Sequence, residues 1–299
     1  MLNSIEDLLG SVKNDDRKKI AIAAAEDENI LEVVNASLKH GLSDFILIGD
    51  KEKISKIIEE NGYKIDSEII HQSDHKSAAE TAVKLVKEKK AEALMKGFLH
   101  TSILFKAVLD KENGLNKGNI ISQVSVFDKV DSNGVQLLTD CALSIEPNLM
   151  DKKHIIENAV ILAKKLGYDT PRVALLSAVE LVNPTMQDTI DAAVLCKMAD
   201  RGQIKGCVID GPLALDNAIS MNAAKSKKIN SRVAGNADIL IAPNLQVANV
   251  LSKSLVYFAN KKVAAAIMGA SAPIISTSRS ESLENRLLSI ALAIYISSI

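Results

Sequence analysis

Short apolar runs alternate with longer amphipathic stretches along most of this 299-residue chain. Residues 20–25 are all apolar and predict a buried strand, and residues 26–40 carry apolar side chains at helical spacing up to Gly41, where a helix C-cap is expected. The same pattern predicts further strands at 45–50, 93–96, 172–177, 206–210, 237–242 and 273–277. Helices are predicted at 51–60, 77–90, 152–167, 188–199, 247–260 and from 281 onward. This order is typical of a mostly parallel sheet covered by helices.

The middle of the chain departs from this alternation. Two apolar stretches rich in β-branched residues, 119–127 and 135–142, flank Asn133-Gly134, a pair that favours a tight hairpin turn. Such an antiparallel excursion marks either a domain junction or an ordinary edge hairpin. The length suits two domains, and no flexible linker is present. We therefore expect two packed α/β halves with a cleft between them.

Composition and charge exclude several partners. The 36 lysines and arginines balance 37 acidic residues, and aromatic residues make up 3%, so we expect no nucleic-acid partner. No apolar run approaches the roughly 20 residues of a membrane helix, and the N-terminus lacks the pattern of a signal peptide. We expect a soluble cytoplasmic protein. Three widely spaced cysteines without a CxxC indicate small buried side chains rather than disulfides or zinc ligands.

Several familiar catalytic motifs are absent from the sequence. It contains no glycine-rich nucleotide-phosphate loop, no HExxH and no GxSxG. His71 and His75 are four residues apart, but their segment predicts a strand end and a turn, so no metal site is expected. Ligands of open α/β sheets bind beyond the carboxyl ends of the strands, so the residues that follow each predicted strand are the candidates.

The first candidate group comes directly after the strand at 93–96. Gly97 would let the backbone approach a ligand, and Thr101 or Ser102 would cap the next helix. Lys96 beside a helix N-terminus suits an anion. An ordinary strand–loop–helix turn with a solvated lysine explains the same residues.

Two further groups follow later strands. Asp210 stands at the end of one strand, Gly211-Pro212 turns the chain, and Asp216 falls in the first turns of the next helix, where a carboxylate also favours the helix dipole. Asn244 and Asn249 follow another strand and would cap a helix or bind a polar ligand. Capping is the favoured role for Asn244.

The last predicted strand leads into four hydroxyl residues around one arginine, Ser276-Thr277-Ser278-Arg279-Ser280. Ser278 and Glu281 fit a capping box, so the final helix is predicted to begin here. Free amides, hydroxyls and a planar guanidinium would then converge on one point, which is the chemistry of a phosphate or carboxylate site. The alternative is a well-capped helix with an exposed arginine.

In this order, the groups after the strands resemble the phosphate acetyl/butyryl transferase family over nearly the whole chain. The resemblance is most specific at 96–109, 140–150, 210–220, 237–249 and 270–293, and the compact length, the TSR segment and the SIALA tail look most like the butyryl branch. It implies two three-layer α/β/α domains with mostly parallel sheets, related to the isocitrate dehydrogenase-like group, and an active site in the interdomain cleft. The first domain would be discontinuous, 1–130 plus 268–299, and the second would span 131–267.

The resemblance also implies an activity, the reversible transfer of an acyl group between CoA and inorganic phosphate, by a homo-oligomer. CoA would be a substrate, and neither a cofactor nor a metal is implied. The family's active-site serine-arginine pair matches Ser278-Arg279. In the acetyl enzymes an aspartate assigned as the base follows that serine by seven positions. Asn285 occupies this position here, so either Glu284 substitutes or the role does not transfer.

Three other functions are alternatives to this one. Acetyl rather than butyryl specificity changes the substrate and leaves the chemistry unchanged. A dehydrogenase or decarboxylase of the isocitrate type would need an aspartate cluster for a metal, and the sequence shows no such cluster. A non-catalytic CoA- or anion-binding protein would use the same groups and would show no turnover.

Overall fold

The computed structural model describes residues 2–12, 17–130, 133–278 and 280–297. Contacts between residues divide the chain into two compact units. The middle unit comprises Met1–Ile5 and Ile120–Val263, and the outer unit comprises Glu6–Asn119 and Ala264–Ile299. The predicted α/β class with mostly parallel sheets is confirmed.

The described residues form the following elements. The strands are β1 (Lys19–Ala23), β2 (Asp44–Gly49), β3 (Glu68–His71), β4 (Ala93–Lys96), β5 (Ser122–Asp128), β6 (Val135–Thr139), β7 (Arg172–Leu176), β8 (Val208–Leu213), β9 (Ile239–Ile241), β10 (Ala264–Met268) and β11 (Ile274–Ile275). The helices are α1 (Asp7–Ser11), α2 (Glu28–His40), α3 (Lys51–Glu60), α4 (His75–Lys87), α5 (Thr101–Val108), α6 (Leu149–Lys165), α7 (Gln187–Asp200), α8 (Leu215–Ile219), α9 (Met221–Ser226), α10 (Leu245–Tyr257) and α11 (Leu283–Ser297).

The outer unit is built on the strand order β3-β2-β1-β4-β11-β10. All neighbours are parallel except β10, which runs antiparallel to β11. Residues 20–25 are fully buried, as the apolar run predicts. The predicted C-cap is also confirmed, because Gly41 adopts a left-handed conformation with φ of 67° at the end of α2.

The middle unit has the strand order β5-β6-β9-β7-β8. β5 and β6 form the predicted antiparallel hairpin, and the other neighbours are parallel. The connection is longer than a two-residue turn at Asn133-Gly134, because the ladder ends at the pair Asp128 and Val135, and the Lys129 N–H donates to the Gly134 carbonyl at 3.1 Å. The sequence therefore predicted the hairpin correctly and its turn incorrectly.

The unit boundaries differ from those predicted at 130/131 and 267/268. β5 belongs with β6 because the two strands share a ladder, so the boundary lies before the hairpin. The N-terminal residues join the same unit: the Ile5 N–H donates to Asp128 Oδ1 at 2.6 Å, and the Gly134 N–H donates to the Asn3 carbonyl at 2.8 Å.

Two helices begin earlier than their apolar patterns predict. α4 begins at His75, where the Asp74 carboxylate accepts the Ser77 N–H at 2.8 Å, so the cap is Asp74 rather than Ser77. α6 begins at Leu149 with a capping box formed by Asn148 and Asp151. In both cases a short polar side chain satisfies the first amides ahead of the amphipathic run.

A cluster of charged side chains around buried Asp238 lies at one end of the middle unit's sheet. Asp238, 2% exposed, accepts hydrogen bonds from Arg172 Nε at 3.0 Å and from Lys129 Nζ at 2.6 Å. Burial raises the pKa of the Asp238 carboxyl, but the hydrogen bonds from Arg172 and Lys129 outweigh it and leave the pKa below its ordinary value of 3.8. Burial also raises the pKa of the adjacent Tyr168 phenol to about 12.

We predict that Asp238→Asn lowers the free energy of unfolding by about 3 kcal/mol at pH 7, because two cations lose their buried partner. Ionised Asp238 stabilises the fold above pH 3.8, and that contribution is lost as the pH falls below this value towards the lowered pKa. In urea denaturation, the difference in the free energy of unfolding between parent and variant should therefore become smaller below pH 3.8. Asp200→Asn, which removes an exposed pair with Lys197, is the control and should change stability by less than about 1 kcal/mol. An equal difference in the free energy of unfolding at pH 7 and pH 3 would contradict a stabilising role for ionised Asp238.

Candidate functional site

In the outer unit, the order in which successive strands are added to the sheet reverses between β1 and β4. β1 leads through α2 to β2 and then β3 on one side, and α4 returns the chain to β4 on the other side. Right-handed crossovers place α2 and α4 on opposite faces, so a crevice opens at the carboxyl ends of β1 and β4. The helix contacts agree, because α2 packs against α11 whereas α4 packs against α5.

β11 lies on the other side of β4 and brings two predicted groups together. Ile275 pairs with Met95 in parallel register, so Lys96 and Ser276 come next along two adjacent strands. The loop before α5 and the hydroxyl-rich segment before α11 therefore begin at neighbouring points of one sheet edge. The sequence predicted both groups, and the ladder between β4 and β11 is what makes them neighbours.

Gly97 allows a close approach between backbone segments, but its neighbour is the end of β1 and not the open space where a ligand was expected. The Gly97 N–H donates to the Ala23 carbonyl at 2.9 Å, and the Phe98 N–H donates to the Ala24 carbonyl at 2.6 Å. A Cβ at Gly97 would lie 2.0 Å from the Ala24 carbonyl oxygen. Gly97 therefore fixes the loop that leads into α5 against the end of β1.

The first turn of α5 presents backbone amides without a side-chain cap. His100, with φ of −65° and ψ of 138°, is the N-cap and makes no capping hydrogen bond. Thr101 and Ser102, predicted as caps, are instead the first two helical residues and are exposed. They cannot cap because a capping residue needs extended backbone. Half-buried Lys96 donates from Nζ to the Gly97 carbonyl at 3.3 Å, which keeps a positive charge at this loop.

Ser278 is exposed and does not cap α11. Its N–H donates to Glu281 Oε1 at 3.0 Å, which is half of the predicted capping box, and its hydroxyl lies 3.0 Å from that of Ser280. The helix itself begins at Leu283, where Ser282 Oγ accepts the Asn285 N–H at 3.2 Å. Ser282 therefore replaces Ser278 as the cap. Arg279, the partner of Ser278 in the prediction, lies outside the described residues.

The two residues considered for the base differ in exposure. Asn285 is 5% exposed, and its carbonyl accepts the Ser289 hydroxyl at 2.9 Å. Glu284 is exposed in the first turn of α11. Of this pair, Glu284 is the exposed residue.

The middle unit contains a cavity of about 1130 Å³ at its own reversal point. The chain passes from β6 to β7 and β8 in one direction and returns to β9, which lies between β6 and β7. The cavity is lined by residues that follow β7 and β9 and by the first turns of α6, α7 and α10. Strand ends at a reversal point and several helix N-termini are the usual setting of a ligand site.

A buried polar group forms part of the cavity wall. Lys152 Nζ lies 2.6 Å from Asp191 Oδ2, both residues are 7% exposed, and Gln187 Nε2 donates to Asp191 Oδ1 at 2.8 Å. Ser177 Oγ is buried without a hydrogen-bond partner. The sequence does not indicate these residues, because a lysine in an amphipathic helix predicts a solvated charge and a serine after a strand belongs to no motif.

The predicted aspartates of the middle unit lie outside this wall. Asp210 lies within β8 rather than at its end, and its Oδ1 accepts the Gly211 N–H at 2.9 Å. The strand continues through Pro212 because β8 is an edge strand, where a proline removes no ladder hydrogen bond. Asp216 is exposed in the first turn of α8, as predicted.

The two predicted asparagines have different roles. Asn244 caps α10, accepting the Val247 N–H at 3.1 Å, so the favoured capping role is confirmed, and it also lines the cavity. Asn249 is half-buried, and its Nδ2 donates to the Cys141 carbonyl at 3.2 Å. That contact ties α10 to the loop after β6.

Cys141 is buried, as predicted, whereas Cys196 and Cys207 are half-buried. Burial raises the pKa of the Cys141 and Cys196 thiols to about 12 and that of Cys207 to about 11. Across the described ranges, no three His, Cys, Asp or Glu side chains are grouped as a metal site requires. Within the same ranges, no helix has both the length and the apolar character of a membrane span.

Comparison with known proteins agrees with this architecture. The family model described as "Phosphate acetyl/butaryl transferase" matches residues 4–81 and 65–294. The chain is 46% identical over 291 residues to a probable phosphate butyryltransferase of Bacillus subtilis (strain 168), covering 97% of each protein. It is 46% identical over 294 residues to a phosphate butyryltransferase of Clostridium beijerinckii, covering 98% of this chain and 97% of that protein.

A solved structure resembles the chain as a whole. It is a branched-chain phosphotransacylase from Enterococcus faecalis V583, 33% identical, with a TM-score of 0.82, and the match covers 94% of this chain and 99% of the other. Sequence and structure thus agree over nearly the full length. The chain belongs to the phosphate acetyl/butyryl transferase family.

Proposed function

We propose that this chain is an acyltransferase that converts butyryl-CoA and inorganic phosphate reversibly into butyryl phosphate and CoA. The observation that carries the proposal is the ladder between β4 and β11, which places the Lys96 loop beside the segment that contains Ser278. Both follow parallel strands at the sheet edge where α/β enzymes bind ligands. Membership of the family and the 46% identity to butyryltransferases support the substrates.

The reaction needs an anion site and a means of stabilising a tetrahedral intermediate. A phosphate oxygen bonds to the thioester carbonyl carbon, the C–S bond breaks, and the proton held by the phosphate passes to the sulfur of CoA. In this proposal Arg279 clamps the phosphate through its planar guanidinium. Ser278 donates a hydrogen bond near the reacting carbonyl, and the uncapped amides of α5 and the charge of Lys96 stabilise the developing negative charge. Holding both substrates in line contributes about 7–11 kcal/mol without a covalent intermediate.

Glu284 is proposed as the group that moves the proton. In the direction of acyl-CoA synthesis a carboxylate accepts the thiol proton of CoA, and Asn285 cannot do so because an amide has no basic group at neutral pH. Glu284 is exposed in the first turn of α11, close in sequence to Ser278, whereas Asn285 is buried.

The direct test follows free thiol from butyryl-CoA. We expect release to require phosphate and to continue after dialysis against a chelator, without a nicotinamide cofactor. Saturable CoA binding without phosphate-dependent release would identify a non-catalytic binding protein instead. Activity that disappears with the chelator and returns with a divalent cation would contradict the metal-free reaction.

Chain length separates the two branches of the family. We predict a kcat/KM about tenfold higher for butyryl-CoA than for acetyl-CoA, because two buried methylenes at about 0.8 kcal/mol each give a factor of this size. Initial rates with both substrates at saturating phosphate provide the measurement. A preference for acetyl-CoA would assign the acetyl branch and keep the same chemistry.

Substitutions at Ser278 and Arg279 separate binding from catalysis. Arg279→Lys keeps the charge but loses the planar fork, so it should raise the KM for phosphate almost as much as Arg279→Ala and change the KM for CoA little. Ser278→Ala should lower kcat roughly 10–1000-fold with little change in either KM. Ser226→Ala, which removes an exposed hydroxyl at the end of α9, is the control and should retain activity. If the Ser278→Ala and Arg279→Lys variants both melt normally and turn over within about twofold of the parent, Ser278 and Arg279 do not belong to the active site.

We further propose a cytoplasmic homo-oligomer. The three cysteines are unpaired, which suits a reducing compartment. Large apolar side chains of the middle unit are exposed, among them Leu181 at 79% and Phe258 at 88%, and contact with a second copy of the chain would bury them. Sedimentation at the velocity of a monomer would contradict the oligomer.

A further inference from the structure

We propose that Phe98 is a specificity-determining residue, whose ring contacts the carbon chain of the acyl group that is transferred. The inference rests on the proposed function and gives a role to a side chain that the anion chemistry of the site does not explain. Phe98 lies in the outer unit together with Lys96 and Ser278, so all the residues involved belong to one compact unit.

The backbone of Phe98 is fixed at the sheet edge where the reaction is proposed. Its N–H donates to the Ala24 carbonyl at 2.6 Å, just beyond the end of β1. In the sequence, Phe98 lies between Lys96 at the end of β4 and His100, the N-cap of α5. A group that reacts between the charge of Lys96 and the first amides of α5 therefore has Phe98 as a neighbour.

The ring of Phe98 is the large apolar group that the loop leaves exposed. Phe98 is 41% exposed, whereas the adjacent Leu99 is 3% exposed. The other exposed side chains that the structure describes at 96–102 and 276–282 carry hydroxyl or imidazole groups. Such groups suit a phosphate or a reacting carbonyl, but they offer little apolar surface to an aliphatic chain. Phe98 supplies the surface against which such a chain can leave water.

Two neighbouring side chains restrict the ring of Phe98. His75, the first residue of α4, meets it edge to face, with the ring centroids 6.3 Å apart and the ring planes at 87°, a geometry that aromatic pairs prefer. His75 Nε2 lies in turn 3.5 Å from Oε1 of Glu26, whose side chain is 6% exposed. A ring that is already restricted loses little conformational freedom when a ligand packs against it. His75 and Glu26 are therefore positioning residues for Phe98.

The length of the acyl chain decides how much of the ring is covered. An acetyl group has one carbon beyond the carbonyl, and a butyryl group has three. Each further methylene that leaves water against the ring should raise kcat/KM by about threefold. Phe98 therefore distinguishes acyl groups by their length, whereas the groups that hold phosphate do not.

The test measures kcat/KM for acetyl-, propionyl- and butyryl-CoA at saturating phosphate, and we expect a stepwise rise in the parent. Phe98→Ala should remove most of this rise, so the ratio of kcat/KM for butyryl-CoA to that for acetyl-CoA falls about tenfold. Phe98→Leu keeps an apolar side chain and should keep this ratio within about threefold of the parent. His75→Gln keeps a hydrogen-bond donor near Glu26 but removes the ring that packs against Phe98, and should lower the ratio by about two- to threefold.

Leu109→Ala is the matched control, because Leu109 is 39% exposed and lies at the opposite end of α5. It should leave the ratio unchanged, and melting curves establish that each variant is folded. An equal loss for all three substrates in Phe98→Ala would show that the ring supports the loop, and a higher ratio would show that it obstructs the chain. Either result would overturn the inference, as would a parent whose kcat/KM does not rise with chain length. If the parent releases no thiol from any of the three, the proposed function fails and this inference fails with it.

Discussion

Parallel pairing of β1, β4 and β11 is the constraint on which the candidate site depends. Parallel strands require long crossover connections, so residues far apart in sequence end at one edge of the sheet. Lys96 and Ser276 are 180 positions apart by their numbers and come next to each other because Met95 pairs with Ile275. Gly97 then holds the following loop against β1, since any larger residue would push the loop away from the backbone of β1. The chemistry of the site is therefore arranged by the backbone before any side chain contributes.

The middle unit handles its buried charges in two different ways. Asp238 joins two cations at the amino ends of the strands, where the cluster ties Arg172 of β7 to Lys129 beside the hairpin. Lys152 and Asp191 join α6 to α7 in the wall of the cavity, at the opposite edge of the sheet. Burial removes these charged groups from water, and this desolvation offsets much of the attraction between the partners. The first pair joins β7 to the hairpin, and the second joins two helices in the cavity wall without offering a net positive charge to a ligand.

The sequence predicted the elements with strong periodicity and missed those defined by local chemistry. β4 and α3 have the predicted bounds, and in α3 the apolar spacing begins where Asp50 caps the helix. β10 was not predicted, since its alanine-rich run resembles neither a strand nor a helix, and β8 extends past a proline that usually ends a strand. At the site, Gly97 and Ser278 were found from the residues that follow strands. Ser282 Oγ accepts a backbone amide of α11, whereas Ser177 Oγ has no hydrogen-bond partner. The order of residue types along the chain does not reveal either contact.

The division of the chain into an inserted middle unit and a discontinuous outer unit has a consequence for biosynthesis. A ribosome delivers residues 120–263 as one uninterrupted segment, so the sheet of the middle unit can form while the chain is still being made. The outer unit lacks β10, β11 and α11 until the residues after 263 have been made. α11 is buried along most of its length, including Leu288, Ile290 and Leu292, each fully inaccessible to solvent. Until that last helix emerges, the nascent outer unit exposes the apolar surface that α11 covers, and this is the stage of synthesis at which a chaperone has a surface to hold.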